Sequence, residues 1–99
     1  MAKKWVVENN RFVLGEVELH RNLSINPDEI CCGGYWHINV LNSTIYLYGK
    51  SYDYGKCTEK IIRKVIIAGN YSQQLYDYHW VFSEGDKLDD VVSGGVLLN

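Results

Sequence analysis

Short hydrophobic runs separated by polar turns make up most of the chain, and these runs have the composition of β-strands. They are rich in valine, isoleucine and aromatic residues, which favour extended backbone. The second run alternates between apolar and charged residues, with Val17 and Leu19 on the face opposite to two glutamates. The pattern predicts strands over residues 4–7, 12–19, 35–40, 44–48 and 75–82.

A helical period appears in one segment, where isoleucine and valine side chains recur on one face. Thr58 is a suitable N-cap and Gly69 a suitable C′ residue, so we predict a helix from Thr58 to about Ala68. Residues 21–30 hold the only proline and predict a loop with at most one or two helical turns. The apolar stripe predicted to be buried consists of Ile61, Ile62, Val65 and Ile66.

In chain order the elements are two strands, a short helix or loop, two strands, a helix and a final strand. This order predicts an α/β sandwich in which one long helix covers a mixed or antiparallel sheet. A length of 99 residues predicts a single domain, because two halves would each lack a core. We assign that domain to residues 1–85 and leave open whether the tail 86–99 is ordered.

Composition and charge narrow the functional classes. With 13% aromatic residues and one proline, the chain has the composition of a folded protein. A net charge of −2 argues against a nucleic-acid partner, and no apolar run approaches the roughly 18 residues of a membrane span. The N-terminus lacks a secretory pattern and the three cysteines are an odd count, so we predict reduced thiols and a cytoplasmic location.

Two local features are candidates for chemistry. His20 ends the second predicted strand, where a histidine can act as a base near neutral pH or be an ordinary surface residue. The segment 49–56 (GKSYDYGK) offers glycines, a hydroxyl and backbone amides that could hold an anion, although it can equally be a structural turn. It lacks the glycine and Ser/Thr positions of a Walker loop.

The cysteines and the aromatic residues allow other interpretations. A metal site could draw on the three cysteines and His37, but the adjacent pair Cys31-Cys32 suits zinc poorly, so no metal or cofactor is predicted. Cys57 is either a reactive thiol or a small packing residue. Aromatic side chains along the strands could stack single-stranded nucleic acid, but the negative net charge favours core packing.

Several motifs occur in the order found in one family. They are Glu18-x-His20, the pair Gly33-Gly34 after the cysteines, the segment 48–55 (YGKSYDYG), Glu59-Lys60-Ile61 and Trp80. Through these motifs, residues 4–85 resemble the phosphohistidine phosphatases, the Janus/Ocnus family. The resemblance implies a mixed, mostly antiparallel sheet of about six strands with helices on its two sides. It also implies metal-free hydrolysis of phosphohistidine or a related phosphoramidate.

The resemblance further implies roles for individual residues. His20 would be the catalytic group, as a general base or as a nucleophile. Ser51 and the backbone at Tyr52 and Asp53 would hold the phosphoryl oxygens, and Lys4 would add positive charge. Because arginines of the family pattern are missing here, three residues are candidates for a supporting role: Arg11, Arg21 and His37.

Three functions are compatible with these features. The first is a small phosphatase acting on a phosphorylated protein or a small phosphoramidate. The second is a non-catalytic module that binds an anion or a phosphorylated partner on the same fold, which the missing arginines favour. The third is a structural protein that associates through its aromatic sheet edge. Neither a nucleic acid nor a membrane is predicted as a partner, and the oligomeric state stays open.

Overall fold

Six strands form one sheet in this computed structural model, which describes residues 1–99 with the exception of the Gln73 side chain. The strands are β1 (Ala2–Glu8), β2 (Arg11–Val17), β3 (Ile30–Asn39), β4 (Thr44–Tyr48), β5 (His79–Phe82) and β6 (Val96–Leu97). The α-helices are α1 (Glu59–Ile67) and α2 (Leu88–Gly94), and short 3₁₀ helices cover His20–Leu23, Pro27–Glu29 and Gln73–Leu75.

The sheet is mixed, with the spatial order β2-β1-β3-β4-β5-β6. Neighbouring strands are antiparallel except for β4 and β5, which are parallel. The connection between these two strands contains α1, as expected because parallel strands need a long crossover. The predicted α/β architecture, a mostly antiparallel sheet with helices, is therefore confirmed.

Local sequence signals explain the first hairpin and α1. Asn9 and Asn10 have φ values of 46° and 61°, the left-handed pair that a two-residue hairpin turn requires. The Thr58 hydroxyl accepts a hydrogen bond from the amide of Ile61, and Gly69 has a φ of 69°, so both predicted ends of the helix are confirmed. The buried stripe is narrower than predicted, because Ile61 is 40% exposed.

The two faces of the sheet have different roles. One face, here called the core face, packs against α1, whose buried residues are Ile62, Val65 and Ile66. The side chains that fill this layer from the sheet include Trp5, Val7, Phe12, Ile45, Leu47, Trp80 and Phe82. The opposite face, here called the open face, carries His20 near β1 and β3 and is packed by α2 at β4.

Residues 86–99, whose order the sequence leaves open, form α2 and the edge strand β6. Leu98 is 2% exposed and joins the core, while Val91 of α2 is fully buried. The Leu98 amide donates to the carbonyl of Trp80, and the Asn99 side chain bonds to the backbone of both Trp80 and Tyr78. The C-terminal segment thus completes the sheet.

Three predicted strand boundaries were wrong. β3 begins at Ile30 rather than 35, so Cys31, Cys32 and the pair Gly33-Gly34 lie in a strand. They do so because these glycines allow close backbone approach: a Cβ on Gly34 would lie 2.4 Å from the Tyr48 carbonyl oxygen. β2 ends at Val17 rather than 19, and the predicted strand 75–82 shrinks to β5 because 3₁₀ and turn residues occupy 73–78.

The prediction that all the thiols are reduced was also wrong. Cys32 and Cys57 form a disulfide with a Cα–Cα distance of 5.1 Å, and Cys31 stays free. Both bonded residues are buried in the core, so Cys57 also has the packing role that the sequence suggested. Disulfides are uncommon in most cytosolic proteins, so this bond removes one ground of the cytoplasmic prediction, the reduced thiols. The cytoplasmic location itself stays a prediction.

Across the described residues, neither helix has the length and apolar character needed to cross a bilayer.

Candidate active site on the open face

His20 begins the 3₁₀ helix after β2 and lies folded back onto the open face, where it is 5% exposed. Its Nε2 atom is 2.8 Å from the carbonyl oxygen of Gly34. Because a carbonyl only accepts, Nε2 must carry a proton and donate it, which leaves Nδ1 unprotonated in the neutral ring. Among the described residues Nδ1 has no hydrogen-bond partner, and it is not fully enclosed. His20 therefore presents a free lone pair at the surface of the site.

The surroundings of His20 lower its pKa from the ordinary value of 6.5. Burial of the ring is the largest cause, because it disfavours the charged form. The hydrogen bond to Gly34 acts in the opposite direction, the Lys4 ammonium adds to the lowering, and the Asp53 carboxylate raises the pKa. The net effect keeps His20 neutral at pH 7, the state in which Nδ1 can act as a base or nucleophile.

Gly33 lets the imidazole ring lie directly on the sheet. A Cβ at this position would stand 3.1 Å from Cδ2 of His20 and 2.5 Å from the carbonyl oxygen of Trp5. The ring also meets Tyr35 edge to face, with centroids 5.6 Å apart. The sequence motif Gly33-Gly34 is therefore the platform for the histidine.

Lys4 stands beside this platform on β1. It is the cross-strand neighbour of Tyr35 on one side and of Gly15 on the other. Its Nζ donates to the carbonyl of Glu18, two residues before His20. An ammonium has three donors, so Lys4 can tie down this segment and still direct positive charge toward an anion.

The turn 51–55 reaches the same platform from the other side. The Ser51 amide donates to the Gly33 carbonyl at 2.9 Å, and the Gly33 amide donates to the Gly55 carbonyl at 3.1 Å. Within the turn, the Gly55 amide donates to the Ser51 carbonyl at 2.9 Å and the Tyr54 amide to the Ser51 hydroxyl at 3.2 Å. Three amides of the turn are thereby occupied.

The amides of Tyr52 and Asp53 remain at the tip of the turn. Within the described part of the chain neither has an acceptor, and both residues are exposed. Ser51 is itself 1% exposed, and its hydroxyl oxygen is used within the turn. The structure therefore gives Ser51 the role of shaping the turn, while the N–H groups of Tyr52 and Asp53 have no protein acceptor at its exposed tip. Successive free amides in a turn can bind an anion where they converge on one point.

Of the predicted site residues, the structure brings His20, Lys4 and Asp53 together around Gly33-Gly34. Their proximity is reflected in the effects of the Lys4 and Asp53 charges on the pKa of His20. Ser51 joins them through its bond to Gly33. Thirty-one residues separate His20 from Ser51 in the sequence, so only the sheet makes them neighbours.

The supporting residues predicted from the sequence have different positions. Arg21 directly follows His20 and is exposed. His37 stacks on Tyr46, with centroids 6.4 Å apart, two residues beyond Tyr35 along β3. Arg11 lies at the hairpin end of β2, four positions from the partner of Lys4, which corresponds to about 13 Å along a strand. The structure therefore does not bring Arg11 to the histidine.

An aromatic depression next to the turn was missed at the level of sequence. It measures about 240 Å³ and is lined by Tyr35, Gly49, Lys50, Tyr52 and Asp86. Gly49 has a φ of 73° and contacts the Tyr35 ring so closely that a Cβ would stand 2.7 Å away. The Gly49 amide donates to Gly85, so the segment before α2 closes one side of the depression. The local sequence pattern does not indicate it, because its walls come from three separate segments, at Tyr35, at 49–52 and at Asp86.

The alternative of a metal centre finds no support in the described residues. They contain no group of three His, Cys, Asp or Glu side chains placed to hold a metal ion. Two of the cysteines considered as ligands are bonded to each other, and a disulfide sulfur is not a thiolate ligand.

Comparison of the chain with protein-family models, with curated proteins and with solved structures finds no match in any of the three.

Proposed function

We propose that this protein is a small phosphatase that hydrolyses the P–N bond of phosphohistidine or of a related phosphoramidate. The observation that carries the proposal is that Gly33 holds both the imidazole ring of His20, whose Nε2 donates to Gly34, and the turn 51–55, whose tip has two amides without a protein acceptor. A nucleophile or base, a charge-neutralising lysine and an oxyanion-binding backbone are the groups that phosphoryl transfer needs. The family resemblance supports the same assignment of roles.

The chemistry follows from these positions. The Tyr52 and Asp53 amides would bind two phosphoryl oxygens, and Lys4 would offset their charge. In one route Nδ1 of His20 would take a proton from the attacking water, the water oxygen would bond to phosphorus as the P–N bond breaks, and the imidazolium would pass the proton to the leaving nitrogen. In the other route Nδ1 would bond to phosphorus while the substrate P–N bond breaks and the leaving nitrogen takes a proton from solvent; water would then cleave the phosphoryl group from His20 and release phosphate. Removing one preorganised donor of this kind typically costs about 10²–10³ in rate.

Asp53 favours a second candidate, a non-catalytic module for anions or phosphorylated partners. Its carboxylate is close enough to His20 to raise the pKa of the imidazole. A negative charge at this place repels a phosphate dianion more strongly than a singly charged group, so the site favours binding of an anion of lower charge. An Asp53→Asn variant therefore strengthens phosphate binding under either proposal.

The test is hydrolysis of a phosphohistidine peptide by the purified chain in the presence of a chelator. His20→Ala is expected to lower turnover at least 100-fold, the lower range of general acid–base catalysis. His79→Ala, an exposed histidine at the start of β5, is the matched control and should stay within twofold of the wild type. Circular dichroism of all three proteins verifies that the fold is retained.

Equal turnover in His20→Ala and wild type would refute the catalytic role of His20. Absence of turnover in every protein, with phosphate still raising the melting temperature of the wild type, would establish the binding module instead. In that case the stabilisation should be smaller in Lys4→Ala, which removes the positive charge beside the Gly33-Gly34 platform.

A further inference from the structure

A disulfide joins the two segments that build the proposed phosphate site. Cys32 immediately precedes the platform residue Gly33, and Cys57 follows Gly55 by two residues. The bond therefore fastens β3 to the end of the turn 51–55. Both cysteines are buried, at 2% and 1% exposure, so the bond itself is shielded from solvent.

The remaining connections between turn and platform are weak. Two hydrogen bonds link Gly33 to the turn, from the Ser51 amide and to the Gly55 carbonyl. The tip of the turn is exposed, and Tyr52 is 94% exposed, so packing adds little there. The net contribution of a hydrogen bond is small, whereas a covalent link restricts the segment irrespective of solvent.

The third cysteine, Cys31, is an exposed residue whose sulfur contacts this disulfide. The register between β1 and β3 shifts so that Val7 pairs with Cys32 and Glu8 with Ile30, which leaves Cys31 as the extra residue of a β-bulge. Its Sγ lies 3.4 Å from Sγ of Cys32, and the residue is exposed. The partly buried sulfur of an exposed residue thus touches a bond whose own sulfurs are enclosed. Partial burial raises the pKa of the Cys31 thiol, so the thiolate that would attack is its minor form at neutral pH.

We infer that the Cys32–Cys57 disulfide locks the turn 51–55 onto β3, and that Cys31 is the thiol through which a dithiol reductant opens the lock. This inference rests on the proposed function for its consequence, because the turn presents the amides that would bind phosphate. Reduction would release the turn and weaken phosphate binding, and reoxidation would restore it.

The exchange proceeds in two balanced steps. The Cys31 thiolate attacks Sγ of Cys32, the Cys31–Cys32 bond forms, and the electron pair of the old bond leaves on Sγ of Cys57, which takes up a proton. The new disulfide faces solvent, where the dithiol reduces it to two thiols and is itself oxidised to a disulfide. The transient adjacent pair is outside the usual disulfide geometry, so it is reduced readily.

The structural part is tested by amide hydrogen exchange on the wild-type chain, oxidised and then reduced with dithiothreitol. The reporter amides are those of Ser51, Tyr54 and Gly55, which are hydrogen-bonded in the locked turn. Reduction should speed their exchange at least tenfold, while amides in the middle of α1 change less than twofold. Equal exchange of the turn in both redox states would overturn the lock.

Access through Cys31 is tested by following the appearance of thiols on addition of dithiothreitol. Cys31→Ser keeps the disulfide and should be reduced at least tenfold more slowly than the wild type, with the same final exchange pattern. An unchanged rate would overturn the role of Cys31. The double variant Cys32→Ala/Cys57→Ala should show the open turn without any reductant.

Phosphate binding and phosphohistidine hydrolysis are then measured on the same samples. We expect phosphate affinity and turnover to fall at least tenfold on reduction and to recover on reoxidation. If phosphate binding and turnover are absent in both the oxidised and the reduced protein, the proposed function fails, whereas the exchange data still decide on the lock. If both are present and unaffected by reduction, the inferred control of the site is refuted.

Discussion

Replacing Ser51 by alanine separates the shape of the anion-binding turn from the stability of the whole protein. The substitution removes the hydroxyl oxygen that accepts the Tyr54 amide. Losing a hydrogen bond of this type costs about 1 kcal/mol of the free energy of unfolding. In a domain of this size that corresponds to a decrease of roughly 4–8 °C in the melting temperature.

Thr58→Ala is the matched control, because its hydroxyl accepts the amide of Ile61 in the same way at the start of α1. Loss of the Thr58 hydroxyl should also lower the free energy of unfolding by about 1 kcal/mol, but this helix cap lies outside the turn 51–55. In Ser51→Ala the free amides of Tyr52 and Asp53 lose their fixed position. A displacement of about 1 Å lowers catalysis on the order of 100-fold.

Urea unfolding followed by tryptophan fluorescence, together with phosphohistidine hydrolysis on the same preparations, provides the comparison. Both variants should be destabilised by similar amounts, and only Ser51→Ala should lose turnover and phosphate binding. If Ser51→Ala hydrolyses substrate as fast as Thr58→Ala, the turn 51–55 does not need this hydroxyl, and the role given to Ser51 in shaping the turn is refuted.

Three further predictions concern the histidine, the C-terminal strand and the platform. Folding lowers the pKa of His20, so below pH 6.5 the unfolded chain binds a proton that the folded chain does not. The free energy of unfolding should therefore decrease as the pH falls below 6.5. In urea titrations at several pH values, His20→Gln should show a weaker dependence of this free energy on pH. Leu98→Ala should lower the free energy of unfolding by about 2–5 kcal/mol, because Leu98 is buried. Leu97→Ala should lower it by less than about 0.5 kcal/mol, because Leu97 is half-exposed. Equal effects would show that the C-terminal strand does not complete the core. Gly33→Ala should lower the free energy of unfolding by about 1–3 kcal/mol and abolish turnover, because the added Cβ meets β1 and the imidazole of His20. Gly94→Ala is the control: its Cβ meets no atom within 4 Å, so stability and turnover should both be preserved.

Local signals in the sequence determined the elements whose stabilising contacts lie within one segment. The helix 59–67 was predicted from its apolar period, and its cap at Thr58 and its end at Gly69 are where local rules put them. The predicted strands 35–40 and 44–48 also form, and they pair as a hairpin across a short polar turn. In these elements the bonds stay within one segment, a single helix or two strands joined by a short turn, so propensity and spacing carry the information.

The strand boundaries and the C-terminal segment depended on partners elsewhere in the chain. β3 extends back to Ile30 because β1 lies beside it, and glycines in it tolerate backbone atoms that a Cβ would displace. Val96 and Leu97 form a strand because the outer edge of β5 is available to them. Neither fact is encoded in the local hydrophobic pattern.

The candidate site shows the same division. The chemical character of His20 and of the turn 51–55 was evident from the residue types, as was the absence of a Walker loop. Their meeting at Gly33, the lone pair on Nδ1 and the disulfide of Cys32 with Cys57 are products of tertiary structure. They bring together atoms from segments at least 13 residues apart, and such pairs form only after the sheet has fixed which strands are neighbours. The sequence by itself therefore determined which groups are available for chemistry, while the sheet decided which of them meet.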